Sequence, residues 1–308
     1  MNGLGIFCPG QGGQHKSMFD ILSDSSVAQS VLQSVVPVFG CHPRDYLQRL
    51  SPVDVFANQQ AQLLIGILQL ATWAALSEIL PAPKLFAGYS MGELVAYGCA
   101  EALDIEATMA LITQRARLMD AEAPQASGLL AVRGLGKNEI TALCDETGLQ
   151  VAIVNGQDHY IVGGQEEAML HCERHPLSKQ ATTIKRLQVT VPSHTSWLSA
   201  AGEKFSCELE RSSLGDPLYP VFAGVSGALV RSRGEAIIAL TQQISRPINW
   251  MVCMQAATEM GCNVILELGP GNALSKMLQE HSPGVTVRSV ADFRSLKGVA
   301  TWVQKQFS

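Results

Sequence analysis

The sequence predicts an α/β protein with a mostly parallel sheet and a small ferredoxin-like α+β subdomain inserted near residues 125–191. Short apolar strands alternate with long helices on both sides of that insertion, as in parallel sheets covered on both faces. A βαββαβ order fills the middle of the chain. The 308 residues are 47% hydrophobic and 16% charged, which is enough apolar material for a large core.

The first predicted strand is Leu4–Cys8, and the turn-rich segment PGQGGQ follows it. A helix is predicted over Gln59–Leu80. Its apolar run is interrupted by polar residues such as Gln69, which favours a buried helix over a membrane span. After a Pro-Ala-Pro break, the strand KLFAG leads directly into Ser90 and a further helix through Ala102.

The middle of the chain has the residue pattern of short strands. Strands are predicted in GLLAVRGL, QVAIVNGQDHYIVGG and ATTIKRLQV, with helices near Lys137–Thr147 and Glu166–His175. The segment NVILELGPGNALSKML then returns to the strand, glycine turn and helix pattern of the first part.

Composition excludes several classes of function. The net charge is −5 with 22 Lys+Arg, and no basic stripe is interleaved with aromatic residues, so we expect no nucleic-acid partner. The start MNGLGIFCPG lacks the pattern of a signal peptide. Eight scattered cysteines without CxxC spacing are typical of a reduced, cytoplasmic protein.

Ser90 is the candidate nucleophile. It lies between Gly88 and Gly92, after a predicted strand and before a predicted helix, which is the context of a nucleophile elbow. A serine in a glycine-rich loop is the alternative. A serine hydroxyl needs a base to accept its proton. His194 in VTVPSHTSW is the main candidate because it lies where the inserted subdomain ends, and His15 is the second.

A metal is not expected. His171 and His175 have the i, i+4 spacing of a ligand pair, with Cys172 between them. No acidic third ligand is placed beside them, so we interpret HCERHP as a solvated helix end.

Two further residue types complete an acyl-transfer site. The amide of Met91 and either the carboxamide or the backbone of Gln11 are candidate donors to an oxyanion. Arg115 shares a helix face with Leu111 and Leu118, so its guanidinium points inward and needs an anionic partner. That partner is either an internal carboxylate such as Glu93 or the carboxylate of a dicarboxylic acyl group.

The chain resembles the malonyl-CoA:acyl-carrier-protein acyltransferases. The motifs that carry the resemblance run in order along the whole chain: FCPGQGGQ, GYSMGE, QRARLM, IVNGQDHYIVGG, VPSHT, RPINW and ELGPGNAL. The resemblance implies a large hydrolase-like subdomain at 1–124 and 192–308, with the ferredoxin-like subdomain at 125–191. It also implies transfer of malonyl from malonyl-CoA to an acyl carrier protein.

The same resemblance assigns roles to residues. Ser90 would carry the malonyl ester, His194 would be its base, and Arg115 would hold the malonyl carboxylate. Gln11 and Met91 would form the oxyanion hole. The backbone carbonyl that orients the histidine would belong to Asn249 in RPINW, and no metal or covalently bound cofactor would be needed.

Within this family, GYSMGELVAYGCA and the tail RSVADFRSLKGVATWV most resemble the epsilon subunit of bacterial malonate decarboxylase. Tyr89 stands where relatives of fatty-acid synthesis usually carry histidine. This implies other subunits of that complex as partners, and a carrier thiol on a group attached to the carrier. A transacylase of fatty-acid or polyketide synthesis is the alternative.

Two rival functions stay open at this point. A thioesterase or esterase needs an acid between serine and histidine in chain order, and Asp104, Asp120, Asp145 and Asp158 all lie there. A docking subunit without chemistry would have no need of Ser90, His194, Gln11 and Arg115 together.

Overall fold

The computed structural model describes residues 2–308, which form two sheets and the helices that cover them. In chain order the strands are β1 (Gly3–Cys8), β2 (Leu85–Gly88), β3 (Ser127–Arg133), β4 (Gln150–Val154), β5 (His159–Gln165), β6 (Thr183–Arg186), β7 (Val221–Phe222), β8 (Leu229–Val230), β9 (Ile248–Asn249), β10 (Cys262–Glu267) and β11 (Thr286–Ser289).

The α-helices begin and end with polar caps and glycines in several places, such as the Asp104 cap of α6 and Gly148 after α7. In chain order they are α1 (Ser26–Ser34), α2 (Val36–Phe39), α3 (Pro43–Arg49), α4 (Asn58–Leu76), α5 (Met91–Cys99), α6 (Ile105–Glu122), α7 (Lys137–Thr147), α8 (Glu166–Arg174), α9 (Ser199–Arg211), α10 (Arg233–Ser245), α11 (Trp250–Glu259), α12 (Ala273–His281) and α13 (Leu296–Lys305).

The larger sheet has the strand order β11-β10-β1-β2-β7-β8. All its neighbouring strands are parallel except β7 and β8. β1 and β2 are buried along their whole length, as expected for strands covered on both faces. The predicted α/β class with a mostly parallel sheet is therefore confirmed.

The second sheet has the order β6-β3-β5-β4-β9. Four of its strands come from the predicted insertion, in the sequence β3-α7-β4-β5-α8-β6, and they pair antiparallel. The fifth strand, Ile248–Asn249, comes from the larger part of the chain and pairs parallel with β4, which the sequence did not predict. The boundaries at 125 and 191 and the ferredoxin-like assignment stay a prediction.

The apolar faces of β3 explain how the two sheets meet. Leu130 and Val132 point into a core beneath α7 and α8, whereas Leu129 packs into a cluster shared with β1 and Trp250. This alternation gives the second sheet one face of its own and one face toward the larger sheet. A cleft between the sheets follows from this packing.

The main core lies around α4, which is buried along nearly its whole length. No helix among residues 2–308 is both long enough and apolar enough to span a membrane. The run Leu63–Leu76 is instead enclosed by neighbouring elements, and α6 is prominent among them.

Candidate active site

Ser90 lies on a sharp turn between β2 and α5. Its backbone has φ 56° and ψ −123°. Residues other than glycine rarely adopt this conformation, and it is typical of strained turns at functional sites. A Cβ on Gly88 would lie 2.1 Å from the Glu93 nitrogen, and one on Gly92 would lie 2.0 Å from the Cys8 oxygen. Only glycine fits at these two places, so the G-x-S-x-G spacing has a steric cause.

His194 is the histidine that contacts Ser90. Its Nε2 lies 2.8 Å from the Ser90 Oγ, and the residue is 1% exposed. Nδ1 lies 2.5 Å from the Gln243 carbonyl oxygen, so Nδ1 carries the hydrogen and Nε2 is free to accept from Ser90. Burial, followed by the charge of Arg115, lowers the pKa of His194 to about 3. The imidazole is therefore neutral at physiological pH.

The predicted role of Asn249 is wrong, because the carbonyl that orients His194 belongs to Gln243. Gln243 lies in the last turn of α10, and the residue four positions later is Pro247, which has no N–H to donate. The Gln243 carbonyl is thus left free by the helix. Asn249 instead lies in β9, where its side-chain oxygen accepts from the Val252 amide and caps α11.

The next carbonyl in the same helix also holds His194. The backbone N–H of His194 donates to the Ile244 oxygen over 2.9 Å. His194 itself has φ 64°, so both bonds to α10 support a backbone conformation that is otherwise unfavourable. The end of α10 therefore fixes both the place and the tautomer of the histidine.

The two expected oxyanion donors lie beside Ser90, one at the start of α5 and the other on the loop after β1. Met91 is the first residue of α5, and the amide of such a residue has no partner within its helix. A Cβ on Gly10 would lie 3.5 Å from the Ser90 Cβ, which puts the loop of Gln11 against the nucleophile. The Gln11 Nε2 donates to the Asn58 Oδ1 over 2.9 Å. This leaves the backbone N–H of Gln11 as the better placed second donor.

Arg115 is 1% exposed and does not pair directly with Glu93, the internal partner that the sequence suggests. Its Nη1 donates to the Gln62 Oε1 over 2.7 Å, and its Nη2 donates to the Gln243 Oε1 over 3.0 Å. No carboxylate among residues 2–308 forms an ion pair with it. Burial lowers the pKa of Arg115 to about 10, and Glu93 opposes that shift. The group remains a cation at neutral pH.

Glu93 belongs to the same buried network through Gln243. The Gln243 Nε2 donates to the Glu93 Oε2 over 2.7 Å and to the Ser90 carbonyl over 2.8 Å. The Gly224 amide donates to the same carboxylate oxygen over 2.9 Å. Burial raises the pKa of Glu93 to about 7, although Gln243 and Gly224 favour its charged form. Gln243 therefore joins the serine, the histidine, the arginine and the glutamate.

Ser90 and His194 line a cleft of about 680 Å³ between the two sheets. Apolar side chains from β3, β4 and α12, among them Leu129 and Ile153, form much of its wall. Its more exposed lining residues include Arg133 and Lys276, and Arg133 forms an ion pair of 3.6 Å with Glu280 from the opposite side. Such a cleft, apolar with a few polar and charged groups, suits a partly apolar ligand.

The other titratable candidates lie away from Ser90. His15 is exposed and bonds to Ser17, and His175 pairs with Glu146 at 2.8 Å. The described residues, 2–308, hold no group of three or more His, Cys, Asp or Glu side chains fit for a metal. Within the same residues, the only side-chain or backbone acceptor at His194 Nδ1 is the Gln243 carbonyl, so no aspartate completes a triad.

Three functional candidates had escaped the sequence reasoning: Gln243, Gln62 and Asn58. All three are amides whose partners lie far away in the chain, and the contact of Gln62 with Arg115 spans 53 positions. The proline at position 247 is the one local signal that pointed to Gln243.

Comparison with known proteins shows which family and which fold this chain shares. The model of the family described as acyl transferase domain matches residues 6–305. A malonyl CoA-acyl carrier protein transacylase of Haemophilus influenzae is 26% identical over 96% of this chain and 99% of its own. The solved structure of the transacylase from Coxiella burnetii has a TM-score of 0.92 at 23% identity, covering 99% of this chain and 98% of that one.

A second solved structure contains a partner protein. It is a type II PKS acyl-carrier protein in complex with its malonyl-transacylase, with a TM-score of 0.91 at 24% identity. The similarity covers 99% of this chain and all of that one. At these identities both structures show a shared fold.

Proposed function

The chain belongs to the acyl transferase domain family, and we propose that it moves a malonyl group from malonyl-CoA to the thiol of an acyl carrier protein. The observation that carries the proposal is the arrangement around Gln243. The Ser90–His194 pair at 2.8 Å and the buried Arg115 are both held by Gln243, the histidine through the backbone carbonyl and the arginine through the side chain. This supports a nucleophile with an anion receptor close by.

The first half-reaction forms a malonyl ester on Ser90. Ser90 Oγ attacks the thioester carbonyl while its proton passes to His194 Nε2. The oxyanion is bound by the backbone N–H groups of Met91 and Gln11. The C–S bond then breaks, and the departing CoA sulfur takes the proton from Nε2.

The second half-reaction runs the same steps with another thiol. The carrier thiol gives its proton to His194 Nε2, and the thiolate attacks the ester carbonyl. The ester C–O bond breaks, and Ser90 Oγ recovers the proton. No step uses a group outside this chain and the two thiol compounds, so neither a metal nor a bound cofactor is required.

Arg115 sets the acyl specificity in this proposal. Its guanidinium has N–H donors beyond the two that bind Gln62 and Gln243, and these can grip a carboxylate in the forked geometry that arginine favours. An acetyl group leaves the buried cation without an anion. We therefore expect malonyl to be preferred strongly over acetyl.

The finer assignment is that the carrier is the carrier subunit of a malonate decarboxylase and that the enzyme works in the cytoplasm beside the other subunits of that complex. The resemblance of GYSMGELVAYGCA and of the tail RSVADFRSLKGVATWV supports it. A carrier of fatty-acid or polyketide synthesis is the competing partner. Transfer rates to purified carriers of the three kinds decide between them.

The deciding experiment for the reaction is the intact mass of the protein after mixing with malonyl-CoA or acetyl-CoA. We expect a malonyl adduct on the wild type, none on Ser90→Ala, and weak malonyl labelling on Arg115→Ala. Arg117→Ala is the matched control, because Arg117 lies on the same helix and is exposed. Thioester hydrolysis without an adduct would favour a thioesterase, and intact malonyl-CoA would favour a docking subunit.

A further inference from the structure

The first turns of α4 carry two amides in an otherwise apolar part of the helix. Asn58 and Gln62 are 4% and 0% exposed and lie four positions apart, so they share one face. Most buried side-chain amides in proteins form hydrogen bonds, since an unpaired buried polar group is costly. Their partners therefore indicate what they are for.

The hydrogen bonds of these amides form a directed chain. Arg115 can only donate, so the Gln62 oxygen must face it, and the Gln62 Nε2 then donates to the Asn58 Oδ1 over 2.7 Å. The Asn58 Nδ2 in turn donates to the Asp120 Oδ1 over 2.9 Å. Each amide has one possible orientation, so the direction of the whole chain is set by a cation at one end and a carboxylate at the other.

The same chain has a branch to the loop beside Ser90. The Asn58 Oδ1 also accepts from the Gln11 Nε2 over 2.9 Å. The other end of that side chain, the Gln11 Oε1, is buried and has no donor among residues 2–308. The bond to Asn58 is thus the one described hydrogen bond that holds the Gln11 side chain.

We propose that Gln62 and Asn58 are positioning residues with separate effects on the reaction. Gln62 aims the guanidinium of Arg115 at the acyl carboxylate, and Asn58 holds the Gln11 loop so that its backbone N–H faces the oxyanion. The inference rests on the proposed function. It predicts that Gln62 governs the choice of acyl group, whereas Asn58 governs the rate with every acyl group.

The variants Gln62→Leu and Asn58→Leu separate these effects. Loss of a hydrogen bond to a charged group is expected to lower the malonyl acylation rate of Gln62→Leu about ten-fold and to leave acetyl acylation within about two-fold. Asn58→Leu is expected to lower both rates by the same factor, again about ten-fold. Gln59→Leu is the control, because Gln59 lies on the same turn and donates no side-chain hydrogen bond within residues 2–308.

A second variant at position 62 keeps the test informative if leucine impairs folding. Gln62→Glu preserves the size of the side chain and places a carboxylate against Arg115. That carboxylate competes with malonyl, so the ratio of malonyl to acetyl acylation is expected to fall further than in Gln62→Leu.

The deciding measurement is single-turnover acylation of Ser90, followed by intact mass, in the wild-type and Arg115→Ala backgrounds. Gln62→Leu is expected to have no further effect on Arg115→Ala, while Asn58→Leu keeps its full effect there. The inference fails if Gln62→Leu lowers the malonyl and acetyl acylation rates equally. It also fails if Gln62→Leu lowers the malonyl acylation rate of Arg115→Ala by the same factor as that of the wild type. If the wild type and Gln59→Leu form no malonyl adduct, the proposed function fails and this inference with it.

Discussion

Replacing Gln243 by leucine isolates what its side chain contributes, because the carbonyl that orients His194 belongs to the backbone and remains. The carboxamide makes three hydrogen bonds, and two of them, to Glu93 and Arg115, involve charged groups. A bond to a charged group is worth about 1.5–3 kcal/mol and a neutral one about 1 kcal/mol. We therefore expect Gln243→Leu to lower the free energy of unfolding by about 4 kcal/mol.

Thermal and chemical unfolding measure this loss directly. In a chain of this length, about 4 kcal/mol corresponds to a fall of roughly 6 °C in the melting temperature. Gln242→Leu is the matched control, because its side chain is only partly buried and forms no hydrogen bond within the described part of the chain. A melting temperature for Gln243→Leu within about 2 °C of the control would show that the amide does not hold the network together.

Replacing Gln243 by glutamate is expected to destabilise the protein by an amount that increases with pH. The folded-state pKa of Glu93 is raised to about 7, so the folded protein holds a proton there that the unfolded chain releases near pH 4.5. A second carboxyl group in Gln243→Glu shares that proton at low pH and repels Glu93 once both are ionised. The variant is therefore expected to lose stability relative to the wild type as the pH rises from 6 to 8. If the variant and the wild type differ in free energy of unfolding by the same amount from pH 6 to 8, this interpretation of Glu93 is wrong.

Two more outcomes follow from the elbow and the base. Gly92→Ala is expected to abolish soluble folded protein or Ser90 labelling, because its Cβ would lie 2.0 Å from the Cys8 oxygen; Gly234→Ala, with open space around the added carbon, should behave as wild type. In NMR titration, the His194 ring, assigned with His194→Gln, is expected to stay neutral from pH 8 to about 5, since its pKa is lowered to about 3 while an exposed imidazole titrates near 6.5. A His194 midpoint above about 5.5 would refute the burial argument.

Local pattern was sufficient for much of the fold and for choosing Ser90 and His194, which the structure brings into contact. The helix Lys137–Thr147 was predicted at its observed bounds, because polar residues and Gly148 mark its ends. The turn around Ser90 followed from two glycines, and the structure brings His194 against it. These features depend on neighbours in the chain, where propensity and spacing are informative.

The partners of those residues depend on contacts that the local pattern does not contain. The carbonyl bound to His194 lies 49 positions away at the end of a helix, and the sequence reasoning placed it at Asn249, six residues too late. The short strand at Ile248–Asn249 joins the second sheet only because β4 offers it an edge. Tertiary packing decides both points, and one sequence carries little information about them.

The buried network explains how Arg115 can stay a buried cation without an ion pair inside the described part of the chain. If Arg115 paired directly with Glu93, the two charges would neutralise each other and the acyl carboxylate would have to displace an internal one. Gln243 instead lies between them, and its neutral amide gives an oxygen to Arg115 and a hydrogen to Glu93. The amide oxygen of Gln62 likewise accepts a hydrogen bond from the other terminal nitrogen of the guanidinium. The arginine is thereby oriented by amides without an ion pair to a carboxylate of the described residues. Under the proposed function, a dicarboxylic acyl group would gain an ion pair that an acetyl group would not.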